Sequence, residues 1–188
     1  VSDRVRTVAT ILVCCIGLAL SHPNTIFTCI VMLAPYCVSR ISGVAKQRGI
    51  AVIPRLAICA AFVLLCLGFW GLCYKLPLFH DTVSHVWPPY SRLFQQVVNI
   101  LTLSYTYGFN VEIAAQLALA PIVIMGAVRL SHTEGKRWCV VSYALFCFIL
   151  LMSTTQSNEL KQFVAGFWYT DSMRLASIAA MAALPLAV

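Results

Sequence analysis

Apolar runs of helix length, separated by short charged gaps, constrain this chain more than any motif in it. Six can be drawn, at about Val5 to Leu20, Thr25 to Val38, Leu56 to Tyr74, Val111 to Leu130, Trp138 to Ser153 and Leu175 to the end. None of them alternates with the period of two that a membrane β-strand needs, whereas a helix crosses the hydrocarbon in about 20 residues. Composition agrees: 61% of the 188 residues are hydrophobic and 10% are charged, against about 45–50% and about 25% in a soluble domain. The chain therefore reads as all-α, a polytopic transmembrane helix bundle of five to six spans, one domain over residues 1–188. It opens at Val1 without Met and stops at Val188 inside an apolar run, so the expectation is a piece of a larger protein. A cleaved signal peptide is not expected, because Ser21-His22-Pro23-Asn24 is no small-residue cleavage site and a second apolar run follows it.

The first two runs are short for full spans, and Pro35 interrupts the second, so a re-entrant pair is an alternative to two crossings. Either arrangement returns the chain to its starting side. Orientation follows from the basic residues of the loops. With the N-terminus cytoplasmic, Arg4, Arg6, Arg40, Lys46, Arg48, Arg55, Arg129, Lys136 and Arg137 lie inside, and Lys75, Arg92, Lys161 and Arg174 lie outside. Three unusual stretches then share the extracytoplasmic face: residues 21–24, 75–110 and 154–174. The formal charge of +7 is mostly a topology signal. Membrane lipids are its expected partners, and nucleic acid is not.

Eight of the nine cysteines sit within apolar segments, where Cys behaves as a small hydrophobe, and only Cys73 is near an edge. No Cys-x-x-Cys pair, phosphate-binding glycine loop or Gly-x-Ser-x-Gly elbow occurs. No disulfide framework and no cofactor is expected.

Three loops carry side chains capable of chemistry. His22-Pro23-Asn24 is ordinary turn material, but a turn does not require the histidine, whose ring at a membrane edge can hydrogen-bond a phosphate or move a proton. His80, Asp81 and His85 contain ligand types for a divalent ion, yet their spacing supports no metal site, and Trp87 and Tyr90 suit an interfacial loop. Leu101 to Asn110 alternates strictly between apolar and small polar residues, which reads as an interfacial helix or as an extended segment over an outer cavity.

The stretch Gly166-Phe167-Trp168-Tyr169-Thr170-Asp171-Ser172-Met173-Arg174 is the strongest candidate. Asp171 or Thr170 can cap the helix that follows, and Arg174 can pair with Asp171 three residues before it. The same residues would also set a carboxylate, a guanidinium and two rings around an outward cavity, and Arg suits two-point contact with a phosphate. Trp168, Tyr169, Asp171 and Arg174, with His22, are the candidate substrate-binding residues; no catalytic residue is assigned.

The pattern of His-Pro-Asn between two early runs, then Phe167-Trp168-Tyr169-Thr170-Asp171 with Arg174-Leu175-Ala176 opening a late one, resembles a family of large uncharacterised bacterial polytopic membrane proteins. That family is grouped with the GT-C glycosyltransferase superfamily. The resemblance implies a glycosyltransferase-like module in a bacterial cell membrane, using a polyprenyl-phosphate sugar donor on the extracytoplasmic face. It places Arg174 and His22 near the lipid phosphate, and Trp168 or Tyr169 against sugar or prenyl chain. Such enzymes carry a catalytic acid in an early outer loop, and this sequence has no such loop, so the general base is expected outside it. The alternative is a non-catalytic envelope protein, either a transporter or an assembly scaffold. Ion-coupled transport needs ionisable groups at mid-membrane. Here Glu112 and Gln116 lie toward the end of their run, and Pro121 alone is placed to break it.

Overall fold

The computed structural model describes residues 3–22, 24–105 and 115–187. Nine α-helices and three short 3₁₀ turns make up this part of the chain, with no strand among the described residues. The helices are α1 (Asp3–Ser21), α2 (Asn24–Gln47), α3 (Val52–Lys75), α4 (His80–Ser84), α5 (Leu93–Leu101), α6 (Leu119–His132), α7 (Arg137–Thr155), α8 (Glu159–Ala165) and α9 (Ser172–Ala183). Three of them, α2, α3 and α7, are long and apolar enough to cross a membrane. The helices at Leu119–His132 and Ser172–Leu186 are apolar but shorter.

Pro35 does not end the second helix. α2 runs through it for 24 residues, so the short, broken segment expected from Thr25 to Val38 is instead a full-length helix. Proline there removes one backbone hydrogen bond, but α2 packs on α3 and on α7, and that contact carries the helix onward. The helix stops at a Schellman turn, in which Gly49 N donates to Lys46 O (3.0 Å) and Ile50 N to Ala45 O (3.0 Å). Gly49 has φ +73°, which only glycine adopts without strain.

The fourth apolar run also departs from expectation. Its first residues, 111–114, lie outside the described ones, as does 106–110 of the alternating stretch. Residues 115–118 are not helical, and the helix begins only at Leu119. Gln116 N is spent on Thr102 O (2.8 Å) across the loop rather than within a helix. The described part of the alternating stretch leaves α5 through a turn with positive φ at Leu103 and Tyr105, so it is neither continuous helix nor strand.

α7 is the central element, packed against α2, α5, α6, α8 and α9. Its buried residues Ser142, Phe146, Ile149, Leu150 and Ser153 recur at helical spacing. The contacts define two ends. At one, Phe27 of α2, Trp70 of α3, Phe79 and Phe167 meet in a single aromatic cluster. At the other, Lys46 Nζ reaches Glu134 Oε1 at 3.4 Å.

Beside the apolar core, several polar side chains are buried and many large apolar ones face outward. Gln96, Asn99, Ser142, Ser153, Thr154, Lys161 and Thr170 are buried, while Ile53, Leu56, Leu64, Leu65 and Leu72 of α3 are exposed. α5 turns Gln96 and Asn99 inward and Leu93, Phe94 and Leu101 outward. Surfaces of this kind aggregate in water, whereas hydrocarbon solvates them. The exposed apolar surface agrees with the membrane-crossing length and composition of α2, α3 and α7. All nine cysteines are free thiols.

Candidate functional site

The foundation of the 166–174 stretch is aromatic. Phe167 stacks on Phe27 with centroids 3.5 Å apart and planes 13° from parallel. Trp70 meets the Phe167 ring edge-on at 4.9 Å, and Phe79 does so at 5.8 Å. Trp168 is fully buried beside them, and its Nε1–H donates to Thr28 Oγ1 at 2.9 Å. Buried indoles need such a partner. The close approach of α4 explains Gly166, since a Cβ there would lie 3.2 Å from the backbone of Val83.

Above this foundation the backbone makes an uncommon turn. Tyr169 and Thr170 both have positive φ, at 61° and 51°. For a β-branched residue this is a genuine outlier, stored only where surrounding structure over-determines it. Thr170 is held from three sides: its Oγ1 accepts from Trp87 N (2.8 Å) and donates to His85 O (3.3 Å), and its carbonyl accepts from Ser153 Oγ (2.7 Å). The same His85–Trp87 segment accepts from Lys161 Nζ at Trp87 O (2.7 Å) and from Gln162 Nε2 at His85 O (3.4 Å). Burial pushes the Lys161 ammonium below the ordinary lysine value.

The strained turn displays Tyr169, Asp171 and Arg174 together. Asp171 caps α9, with Oδ1 accepting from Met173 N (2.9 Å) and Arg174 N (3.3 Å). Its Oδ2 lies 3.7 Å from Arg174 Nε. The Arg174 guanidinium rests over the Tyr169 ring, 5.1 Å from the centroid, and the His85 ring meets Tyr169 at a steep angle with centroids 6.0 Å apart. His85 also meets Trp87 at 6.0 Å. The Asp171 contact uses Nε alone, so the two terminal nitrogens of Arg174 have no acceptor among the described residues.

Of the residues expected at the site, then, Tyr169, Asp171 and Arg174 are brought together and Trp168 is not. Trp168 lies beneath the turn, and its position with Thr28 and Trp70 makes it a support rather than a lining group. His22 is exposed at the junction of α1 and α2, and its ring makes no hydrogen bond, ion pair or ring contact with the three among the described residues. Sequence reasoning missed His85 and Trp87 as neighbours of Tyr169, and missed Thr170 and Lys161 as the groups that hold them. The only signal was the His- and Trp-rich loop itself, which says nothing about a partner some 85 residues away. His80 Nδ1 lies 3.5 Å from Asp81 Oδ1, while His85 faces the aromatic group. No cluster of three metal-ligating side chains occurs among the described residues.

Thr170→Val keeps shape and branching but removes the hydroxyl that ties the turn to residues 85–87. Trp87 is about half exposed, and the bond from its N–H to Thr170 Oγ1 is only partly buried. The expected loss is therefore about 1 kcal/mol, near the low end for a broken hydrogen bond. Thr170→Ser should lose less than Val. Detergent-micelle unfolding of the two variants checks this, and a Thr170→Val chain as stable as the parent would show that the hydroxyl bonds contribute nothing.

Fold and site together give a helical chain with three helices of membrane-crossing length and a cluster of Tyr169, Asp171 and Arg174 at one end. Over residues 1–188 the sequence matches DUF6541, described as a family of unknown function. The chain belongs to that family. No curated protein matches it, and no solved structure does.

Proposed function

We propose that this chain is the membrane module of a glycosyltransferase-like protein of GT-C type, and that it seats the phosphate of a polyprenyl-phosphate sugar at Arg174 on the extracytoplasmic face. The observation that carries the reading is the Arg174 guanidinium, steadied by Asp171 and Tyr169 yet with both terminal nitrogens unoccupied by any described residue. A guanidinium fork of that kind matches two phosphate oxygens. Tyr169, Trp87 and His85 supply flat faces beside it for a sugar ring or an isoprenoid unit. In this reading α2, α3 and α7 are three of the membrane crossings, and α1, α6 and α9 complete a six-segment multi-pass bundle with its N-terminus cytoplasmic. The general base for glycosyl transfer is assigned to no residue here.

The test separates capping from ligand binding. Asn caps nearly as well as Asp, so Asp171→Asn should leave α9 intact and cost well under about 1 kcal/mol of stability. Arg174→Lys keeps the charge but loses the fork. With the chain in nanodiscs, both variants are expected to bind a polyprenyl-phosphate sugar roughly ten- to hundred-fold more weakly than the parent, the range of one lost charge-assisted hydrogen bond. Unchanged affinity in both variants would reduce the motif to a helix cap with an aromatic neighbour.

A further inference from the structure

A second feature lies away from this turn. α2 packs against both α3 and α7, but α3 and α7 have no contact of comparable extent with each other. The gap between them is a groove of about 660 Å³, floored by α2 and open at the side. Its floor is carved by small residues, Ala34, Ser39 and Ser42, and by Pro35. At one end stand Arg137 and Trp138; at the other it is stopped by Trp70 and Phe163. The stop is fixed, because Trp70 Nε1 donates to Phe163 O at 2.9 Å and Tyr74 packs edge-on against the Phe163 ring at 5.3 Å.

Three properties identify the occupant. The walls are almost wholly apolar, as a hydrocarbon chain requires. From Arg137 to Ile149 along α7 the groove runs roughly 18 Å at about 1.5 Å per residue. That is near the thickness of one leaflet, about half of the ~30 Å hydrocarbon core, and well short of a transmembrane helix. The open end is cationic: the Arg137 guanidinium is exposed and has no acid or acceptor among the described residues, and Lys136 precedes it. Trp138, set edge-on to Tyr36 at 5.3 Å, occupies the headgroup-level position that indole favours. We infer that this groove binds one anionic phospholipid, with an acyl chain between α3 and α7 and its phosphate at Arg137.

The site is independent of the Arg174 reading, being at the other end of the bundle and built from other residues. It is tested with the whole chain in phosphatidylcholine nanodiscs, in a Trp87→Phe background so that emission reports Trp70, Trp138 and the buried Trp168. Chain-brominated phosphatidylglycerol or chain-brominated phosphatidylcholine is then added at low mole fraction. The expected result is half-maximal quenching by the phosphatidylglycerol at a several-fold lower mole fraction. Arg137→Gln should abolish that preference, and Arg137→Lys should retain it, since a point charge also attracts an anionic headgroup. Equal quenching by the two lipids in the parent would make the groove ordinary annular surface and overturn the assignment. So would a preference that survives Arg137→Gln, or one that Arg137→Lys loses as completely as Arg137→Gln.

Discussion

Phe167→Ala should destabilise the bundle by about 3 kcal/mol, the low end of the range for truncating a buried Phe. The low end applies because helices unfolded in micelles or lipid remain in an apolar medium, so the transfer term shrinks and lost packing dominates. Phe167 has no exposed surface, and its ring is stacked on Phe27 and walled by Trp70 and Phe79. Those neighbours cannot collapse into the space. Trp70 is tied to Phe163 O, and Phe27 is fixed on a helix packed on both sides. The turn that displays Tyr169 and Arg174 rests directly on this ring, so the variant should also lose the display. Titration with a denaturing detergent gives the stability, and a cysteine at position 169 gives the display through its labelling rate. A loss below about 1 kcal/mol would mean that these rings are not packed as a unit; Phe167→Leu, which keeps part of the volume, should lose less than Ala.

The stretch around Phe167 also shows what could be read from sequence and what could not. Residues 166–174 stood out because aromatic and charged types met at the edge of an apolar run, and spacing narrowed the helix cap to Asp171 or Thr170, of which the structure uses Asp171. Which ring would face outward did not follow. Trp168 and Tyr169 are adjacent and chemically alike in a belt, and only the left-handed backbone at Tyr169 and Thr170 sends one down to Thr28 and the other up to Arg174. That backbone depends on Thr170 meeting His85 and Trp87, a long-range pairing with no local signature. The same contrast holds for the helices. α3 and α7 were legible almost to their ends, since continuous apolar runs bounded by charge leave little choice. α2 was read too short because Pro35 and the polar residues after it obey local rules that packing overrode. The reversed α5, apolar outside and polar inside, could not be told from a soluble amphipathic helix, because periodicity fixes the angle between the two faces and not which of them points to the core.

Gly126→Leu should be at least as disruptive as Phe167→Ala, and by the opposite mechanism. Gly126 of α6 lies against the 3₁₀ turn at Leu184–Leu186, and a Cβ built there would collide with the Leu186 carbonyl. A side chain can escape overpacking by changing rotamer, but a backbone carbonyl can move only with its turn. The contact also closes the second core cluster, where Leu186 and Ala183 meet Val123, Ala120 and Cys139. The expected cost is therefore at or beyond the upper end of the ~1–3 kcal/mol typical of added methylenes, with Gly126→Ala already losing more than the few tenths that a surface change would cost. The displacement should be largely local to α6 and the end of α9, because no buried residue belongs to both cores, which meet only through the half-buried Tyr105 and Tyr143 packed against each. Micelle unfolding gives the loss, and labelling at position 169 should stay at the parent rate. A Gly126→Leu chain as stable as the parent would show that α6 does not pack on this turn, and a changed rate at position 169 would show that the two cores are coupled.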